Sequence, residues 1–291
     1  MLKKGKRAPL ENKLGSASHK LQQAIPPAID WRNVNETSFL NAVKDQGQCG
    51  SCWAFAAVGT MEGRYAIFSK QNSDAMVLLE LSEQQIVNCA KDAYDNPGTG
   101  GCEGGDAGKA FVYSSQDGVQ GESTYPYTAK DQDCTYSEAD VILANDTFSN
   151  ETVYVNVTAN NTMALKTAIA SGPVAVAIEA DTIPFQFYGG GVFNSPTCGT
   201  NLDHAVVAIG YGADSKGREY YIVRNSWGAE WGVGGYIHMA IVGDGPGICG
   251  IQMYAQYPVF VVPPPPTPPT PPTPPTPPTP PPTPPTPPPT L

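Results

Sequence analysis

The spacing of apolar residues changes along the chain, close to residue 170. In the first half, five apolar residues after Cys52 recur at intervals of three and four: Trp53, Ala57, Met61, Tyr65 and Phe68. This spacing predicts a helix with one apolar stripe and with Ser51 as its N-cap. A second helix is predicted at Ser82-Glu83-Gln84-Gln85, which has a capping-box pattern, and a third after Gly105.

The second half has a different pattern. Short runs of β-branched or aromatic residues, separated by glycine-rich turns, occupy residues 174–178, 205–211, 220–223 and 236–242. Such runs are typical of strands. A helical first half followed by a strand-rich second half predicts an α+β fold of two lobes with a cleft between them. Lobe boundaries of this kind favour binding sites.

Composition divides the chain into three segments. Residues 1–24 are basic and polar and are interpreted as a leader or the remnant of a pro-segment, whereas residues 25–262 can fold as a domain. Residues 263–291 are almost entirely proline and threonine, which predicts a polyproline II rod of roughly 90 Å. We interpret this tail as a semi-rigid spacer. A ligand for proline-binding domains is the alternative.

Charge and hydropathy exclude two classes of protein. The formal net charge of −10 argues against nucleic-acid binding, which requires a basic face. No window reaches the roughly 18 to 20 apolar residues of a membrane span, and the first residues lack a secretory apolar segment. The chain is therefore either cytosolic or preceded by further sequence. Five Asn-x-Ser/Thr glycosylation acceptors favour the second interpretation: Asn35, Asn145, Asn150, Asn156 and Asn160.

The seven cysteines also favour the interpretation that further sequence precedes this chain. Six of them can pair, in any of fifteen connectivities, if the seventh is a reactive thiol. Three disulfides fit an oxidising route, either secretion or a lysosome-like acidic compartment. Reduced, buried cysteines in a cytosolic protein are the alternative.

One thiol is placed for chemistry. Cys52 lies at the predicted start of a helix, where unpaired N–H groups and partial positive charge promote ionisation. A thiolate is a nucleophile, and the amide of Gln46, six residues upstream, can face the oxyanion formed when the thiolate attacks a carbonyl. This segment predicts the active centre of a cysteine peptidase.

The chain has few candidates for the base that such a nucleophile requires. His19 lies in the basic leader and His238 within a strand, whereas His204 begins a strand, where a side chain can face the cleft. Asn225 ends the next strand and can accept the ring N–H of His204, with Trp227 shielding that bond from water.

The motifs together resemble those of the papain-like (cathepsin L-type) cysteine peptidases over residues 25–262. The resemblance rests on these segments: residues 46–55, Asp30-Trp31-Arg32, Gly101-Cys102-Glu103-Gly104-Gly105, Tyr125-Pro126-Tyr127, and Trp227-Gly228 with Trp231-Gly232. It implies a two-lobe fold with a helical first lobe and a β-barrel-like second lobe.

The resemblance also implies a role for each site residue. Cys52 is the nucleophile, His204 the acid and base, Asn225 its orienting partner, and Gln46 an oxyanion donor. The implied disulfides are Cys49–Cys102, Cys89–Cys134 and Cys198–Cys249. The implied substrate contacts are Gly104, Gly105, Asp106, Ala107, Ala177, Leu202, Asp203, Ala205, Trp227 and Tyr254.

The pocket for the second residue before the cut (P2) would be mostly small or apolar, which favours a hydrophobic side chain. Asp106 departs from the usual aromatic or aliphatic residue of the family. Two interpretations stand: Asp106 faces the pocket and adds tolerance for Lys or Arg, or it caps a helix. Tyr254 would make the pocket shallower.

The resemblance implies an endopeptidase that acts as a monomer on proteins or peptides, needs no metal or other cofactor, and is open to cystatin-like inhibitors. The family's long inhibitory pro-region is not found within residues 1–24. Two other functions remain as alternatives: a thiol–disulfide oxidoreductase using Cys49-Gly50-Ser51-Cys52, and a catalytically silent papain-like scaffold used for binding.

Overall fold

The computed structural model describes residues 25–73, 75–90 and 100–262. The predictions for the leader, residues 1–24, and for the tail, residues 263–291, lie outside the described residues. The helices are α1 (Cys52–Asn72), α2 (Glu83–Cys89), α3 (Ala107–Asp117), α4 (Thr162–Ala170) and α5 (Ile183–Gln186). The strands are β1 (Ile29–Asp30), β2 (Val119–Gln120), β3 (Val141–Leu143), β4 (Tyr154–Asn156), β5 (Val174–Ile178), β6 (Val192–Phe193), β7 (His204–Ala213), β8 (Glu219–Arg224), β9 (Tyr236–Ala240) and β10 (Ala255–Pro258).

The predicted α+β class is confirmed, with helices α1 to α3 in the first half and most strands in the second. The main sheet has the order β4-β10-β5-β7-β8-β9-β6, with β1 pairing separately with β7. Its interior pairs are antiparallel, and only β6 and β9 run parallel. Among the described residues, no helix is both long and apolar enough to cross a bilayer.

The sheet stays open, whereas the resemblance implied a barrel-like lobe. Its two ends are β4, which has three residues, and β6, which has two. Within the described residues, β4 pairs only with β10 and β6 only with β9, so the ends of the sheet do not meet. Closure of a barrel needs every strand to have two neighbours, which these short edges lack.

The central strands separate two hydrophobic cores. On β7, Val206 and Ala208 face a core built from the sheet with α4 and α5, whereas Val207 and Ile209 face a core built around α1. Successive side chains of a strand point to opposite faces, so a strand between two cores must be apolar on both. This explains why β7 has a continuous apolar run instead of an alternating pattern.

Helix α1 is buried more completely than its stripe predicted. Residues 53–63 are all buried, so the prediction of a single apolar face is wrong for the first three turns. The helix packs against β7, α2 and α3, which together surround it. Glu62 is tolerated within this buried stretch because its Oε1 accepts the Leu81 N–H at 2.9 Å.

The helix caps follow the sequence signals in part. Ser82 caps α2 by accepting the Gln85 N–H, as its pattern predicts. Ser51 occupies the N-cap position of α1 but makes no side-chain cap; its hydroxyl bonds to the phenol of Tyr127 at 2.6 Å. Asp106 caps α3, with Oδ1 accepting the Lys109 N–H at 3.1 Å.

A lysine holds two buried carboxylates below the cleft. Lys44 Nζ lies 2.8 Å from Glu83 Oε2 and 3.7 Å from Glu62 Oε1, and both carboxylate side chains are almost fully buried. Burial raises the pKa of Glu83 above its ordinary value of 4.5, although the Lys44 charge opposes this. A raised pKa in the folded state stabilises the fold below the unfolded value, and this contribution is lost as the pH rises.

We expect Lys44→Met to destabilise the fold by about 3 kcal/mol at pH 8, because two buried carboxylates then lose the cation with which they pair. The loss should be clearly smaller at pH 5, because the raised pKa of Glu83 lets this carboxyl take up a proton there. Urea unfolding at both pH values measures it. Lys216→Met, at an exposed lysine, is the control. An equal loss at the two pH values would contradict the explanation.

Candidate active site

Cys52 is the first residue of α1 and the one free cysteine among the described residues. Its sulfur is half-buried and receives hydrogen bonds from the backbone N–H groups of Ala205 and Trp53. Ala205 follows His204 directly on β7, so the start of the helix and the start of the strand meet at the sulfur. Packing of α1 across β7 therefore brings together residues from the two lobes.

His204 is buried and its ring orientation is fixed. Its Nε2 lies 2.8 Å from Asn225 Oδ1, and Trp227 stacks on the imidazole with ring centroids 4.8 Å apart. Residues 204 and 225 are on the adjoining strands β7 and β8 or just beyond them, which explains how they meet. The indole covers the His204–Asn225 bond, and Trp227 is itself packed against Phe185.

Hydrogen bonding determines which imidazole nitrogen carries the proton. Asn225 Oδ1 also accepts the Ser226 backbone N–H at 2.8 Å, so this amide presents its oxygen to both neighbours. An oxygen can only accept, and His204 Nε2 must therefore carry the hydrogen. The other ring nitrogen, Nδ1, is left with a lone pair that can take a proton.

Gln46 is held by the same segment. The Ser226 hydroxyl donates to Gln46 Oε1 at 2.7 Å, and Gln46 Nε2 donates to the Cys49 carbonyl at 2.9 Å. An amide nitrogen carries two hydrogens, so one remains for another acceptor. Ser226 thus orients both Asn225, through its backbone, and Gln46, through its side chain. Sequence reasoning gave Ser226 no role, although it lies between Asn225 and Trp227, which both received one.

Burial acts against charge on both reactive groups. It raises the pKa of the Cys52 thiol, although the backbone donors at the sulfur oppose the change, and it lowers the pKa of His204 to about 4. Each charge taken alone is therefore unfavourable here. Opposite charges that lie close together offset part of that cost for one another, so a thiolate and an imidazolium are more favourable as a pair than separately.

A cavity of about 200 Å³ includes Cys52 and His204 in its lining. It contains nine of the ten predicted substrate contacts, Trp227 being the exception. Its lining is Cys52, Gly104, Gly105, Asp106, Ala107, Ala175, Val176, Ala177, Leu202, Asp203, His204, Ala205, Tyr254 and Gln256. Gly105 has no alternative, because a Cβ there would lie 2.5 Å from the Trp53 indole. Gln256 was not predicted.

Asp106 caps a helix and also lines the cavity, so the two placements that the sequence left open do not exclude one another. Its Oδ1 caps α3, while its Oδ2 accepts the Tyr254 hydroxyl at 2.7 Å, and both residues line the cavity. Burial and the Asp106 carboxylate raise the pKa of Tyr254, which keeps its phenol protonated. The carboxylate is therefore already bonded on both oxygens.

Three disulfides join the pairs that the resemblance implies. They are Cys49–Cys102, Cys89–Cys134 and Cys198–Cys249. The first bond fixes the loop before Cys52 to the glycine segment that lines the cavity, where Gly50 N–H also donates to the Cys102 carbonyl. The five predicted glycosylation asparagines are all exposed.

Known proteins are similar to this chain in sequence and in fold. The sequence profile described as "Papain family cysteine protease" matches residues 25–259. Cysteine endopeptidase RepA of Oryza sativa subsp. japonica is 44% identical over 241 residues, which cover 81% of this chain and 58% of that protein. Thiol protease SEN102 of Hemerocallis sp. is 40% identical over 252 residues, which cover 86% of this chain and 64% of that protein.

Among solved structures, the bromelain protease from Ananas comosus in complex with the E64 inhibitor is 41% identical, with a TM-score of 0.70 over 81% of this chain and 100% of that one. The chain spans 58% and 64% of the lengths of the two curated relatives named above. The matched residues include the whole cleft described here. The chain therefore belongs to the papain family of cysteine proteases.

Proposed function

We propose that this protein is a cysteine endopeptidase. The observation that carries the proposal is the shared cleft, in which the free Cys52 thiol and the Asn225-oriented His204 imidazole line one cavity. The geometry of Gln46 and the names of the relatives, cysteine endopeptidase and thiol protease, add support. Residues 25–262 would form the catalytic domain.

The proposed first step is acylation of Cys52. The thiol proton moves to His204 Nδ1, and the sulfur attacks the peptide carbonyl carbon, forming a C–S bond. The C–N bond then breaks, and His204 returns the proton to the leaving amine. Water next attacks the thioester, giving its proton to His204, and the acid is released as the thiol re-forms.

The negative oxygen formed in each step requires donors. We assign this role to the Cys52 backbone N–H and to the free hydrogen of Gln46 Nε2. The hydrogen bond from the Ser226 hydroxyl to Gln46 Oε1 holds this amide in place. Losing one such donor typically costs about 10² to 10³ in turnover. Low solvent access strengthens these bonds.

The substrate would lie along the cavity as an extended chain. Gly104 and Gly105 leave backbone groups open to it, and Asp203, Ala205 and Trp227 flank the reacting centre. The apolar walls at Ala107, Ala177 and Leu202 support a preference for a hydrophobic P2 residue. Tyr254, 43% exposed, limits the depth of the pocket.

The alternatives have weaker support. An oxidoreductase would need Cys49 and Cys52 to exchange electrons as a pair, but Cys49 is bonded to Cys102. A silent scaffold would not need the orienting bonds from Asn225 and Ser226.

We further propose that the protein is a monomer, that cystatin-like proteins inhibit it, and that the exposed asparagines are glycosylated. We also propose an acidic lysosome-like or extracellular location. The three disulfides support a location reached by an oxidising route.

We expect an epoxide inhibitor such as E64 to label Cys52 and to abolish cleavage of a peptide substrate. His204→Ala should slow cleavage by about 10³-fold or more, because no other group accepts the thiol proton. Rapid quench with mass spectrometry measures labelling. His238→Ala is the matched control, since His238 lies on β9, outside the cavity lining. Equal activity in the two variants would refute the assigned base.

We expect Ser226→Ala to lower kcat by about tenfold with little change in KM, because Gln46 loses the bond that holds its amide. Gln46→Ala should lower kcat by about 10²-fold or more. The double variant should resemble Gln46→Ala alone, since both changes act through one amide. Steady-state kinetics of all three variants measure this. Additive losses would show that Ser226 acts independently of Gln46.

A further inference from the structure

The far end of the cavity has a buried acceptor without a partner. Gln256 lies on β10, is 2% exposed and lines the cavity. Its Oε1 is buried and receives no hydrogen bond from the described residues. A buried carbonyl oxygen without a donor is unfavourable, so a group that brings a donor to it gains binding free energy.

Neighbouring bonds fix the orientation of this amide. The Tyr254 phenol has one hydrogen, which goes to Asp106 Oδ2 because a carboxylate can only accept. Tyr254 Oη must therefore accept from Gln256 Nε2, 2.9 Å away, and the same nitrogen donates to Asn156 Oδ1 at 2.9 Å. Both hydrogens of Nε2 are used, which leaves Oε1 as the atom of this amide without a partner among the described residues.

The packing around Gln256 has no spare room on its other side. A Cβ at Gly108 would lie 2.9 Å from Gln256 Nε2, 2.9 Å from Asp106 Oδ1 and 2.9 Å from the Tyr154 ring. Only glycine allows α3 to approach this polar group so closely. Hydrogen bonds join the Asp106 carboxylate, the Tyr254 phenol and the Gln256 amide into one cluster. We call this cluster the polar floor.

The walls that lead to the polar floor are apolar, with Ala107, Val176, Ala177 and Leu202 among them. A side chain that fits both parts has an apolar stem and a hydrogen-bond donor at its tip. Tyrosine, lysine and arginine have this chemistry, whereas phenylalanine and leucine satisfy the walls only.

We propose, on the basis of the proposed peptidase function, that this pocket selects P2 side chains with a donor at the tip of an apolar stem, and that Gln256 Oε1 accepts the donor. Asp106 supplies the negative charge beside it and favours a cationic tip. Gln256 is then a specificity-determining residue that neither the sequence motifs nor the family comparison identifies.

The test uses four peptides that differ only at P2, in two pairs whose members differ by the terminal donor group: tyrosine against phenylalanine, and lysine against norleucine. We expect kcat/KM to be about three- to tenfold higher for the donor-bearing member of at least one pair. An advantage confined to tyrosine assigns the pocket to a neutral hydroxyl, and one confined to lysine assigns it to a cation. Equal or lower values for both donor-bearing peptides overturn the proposal.

Gln256→Met and Gln256→Glu locate the acceptor. Methionine preserves the approximate volume without an acceptor, so the ratio within each pair should fall towards one. Glutamate keeps an acceptor and adds charge, so the lysine-to-norleucine ratio should rise. Ratios within one variant do not depend on how much enzyme has folded. An unchanged ratio in Gln256→Met overturns the role of Gln256.

The two proposals fail in different ways. A protein that cleaves all four peptides at equal rates is a peptidase without this selectivity, and only the polar-floor proposal is overturned. A protein that cleaves none of them, with Cys52 unreactive towards the epoxide, overturns both the peptidase function and the pocket assignment that rests on it.

Discussion

The packing of α1 across β7 is the constraint on which the site depends. It places the first residue of a helix beside the first residues of a strand 152 positions later, so the Cys52 sulfur receives the Ala205 N–H next to His204. Helix α1 lies within one core and β7 lies between the two, so close packing holds both elements in place. Small side chains on this side of the sheet, at Ala175 and Ala205, let the helix approach closely. A site on such elements keeps its geometry better than one on loops.

A single segment after β8 then sets the chemistry. Asn225 and Ser226 fix the proton of His204 on Nε2 and the amide of Gln46 towards the cleft. This matters because burial disfavours charge on sulfur and imidazole separately. Only a correctly oriented neutral imidazole, with Nδ1 free, can take the proton as the thiolate forms. The fixed orientation of the His204 imidazole therefore offsets the free energy that burial costs when the two charges form.

Local sequence signals predicted the elements that depend on local interactions. Residues 174–178 form β5 as predicted, and His204 begins β7. The stripe on α1 was wrong because neighbours that are distant in sequence cover its other faces. Ser226 and the polar floor were missed for the same reason: the Ser226–Gln46 bond spans 180 residues and the Tyr254–Asp106 bond spans 148. No periodicity or capping rule detects such pairs; the chemical needs of a thiol nucleophile and the motif resemblance together placed Gln46, Cys52, His204 and Asn225 in one site.

Buried polar atoms without a hydrogen-bond partner mark places where the fold is less stable than it could be. Within the described residues, three buried side-chain atoms have no partner: Glu122 Oε2, Asn225 Nδ2 and Gln256 Oε1. Two of them belong to residues that adjoin the cleft, one beside the imidazole and one at the polar floor. Buried polar groups are normally satisfied, so exceptions that cluster at one surface need an explanation. The proposed P2 donor provides one at Gln256, because it completes a hydrogen bond that the described residues do not make.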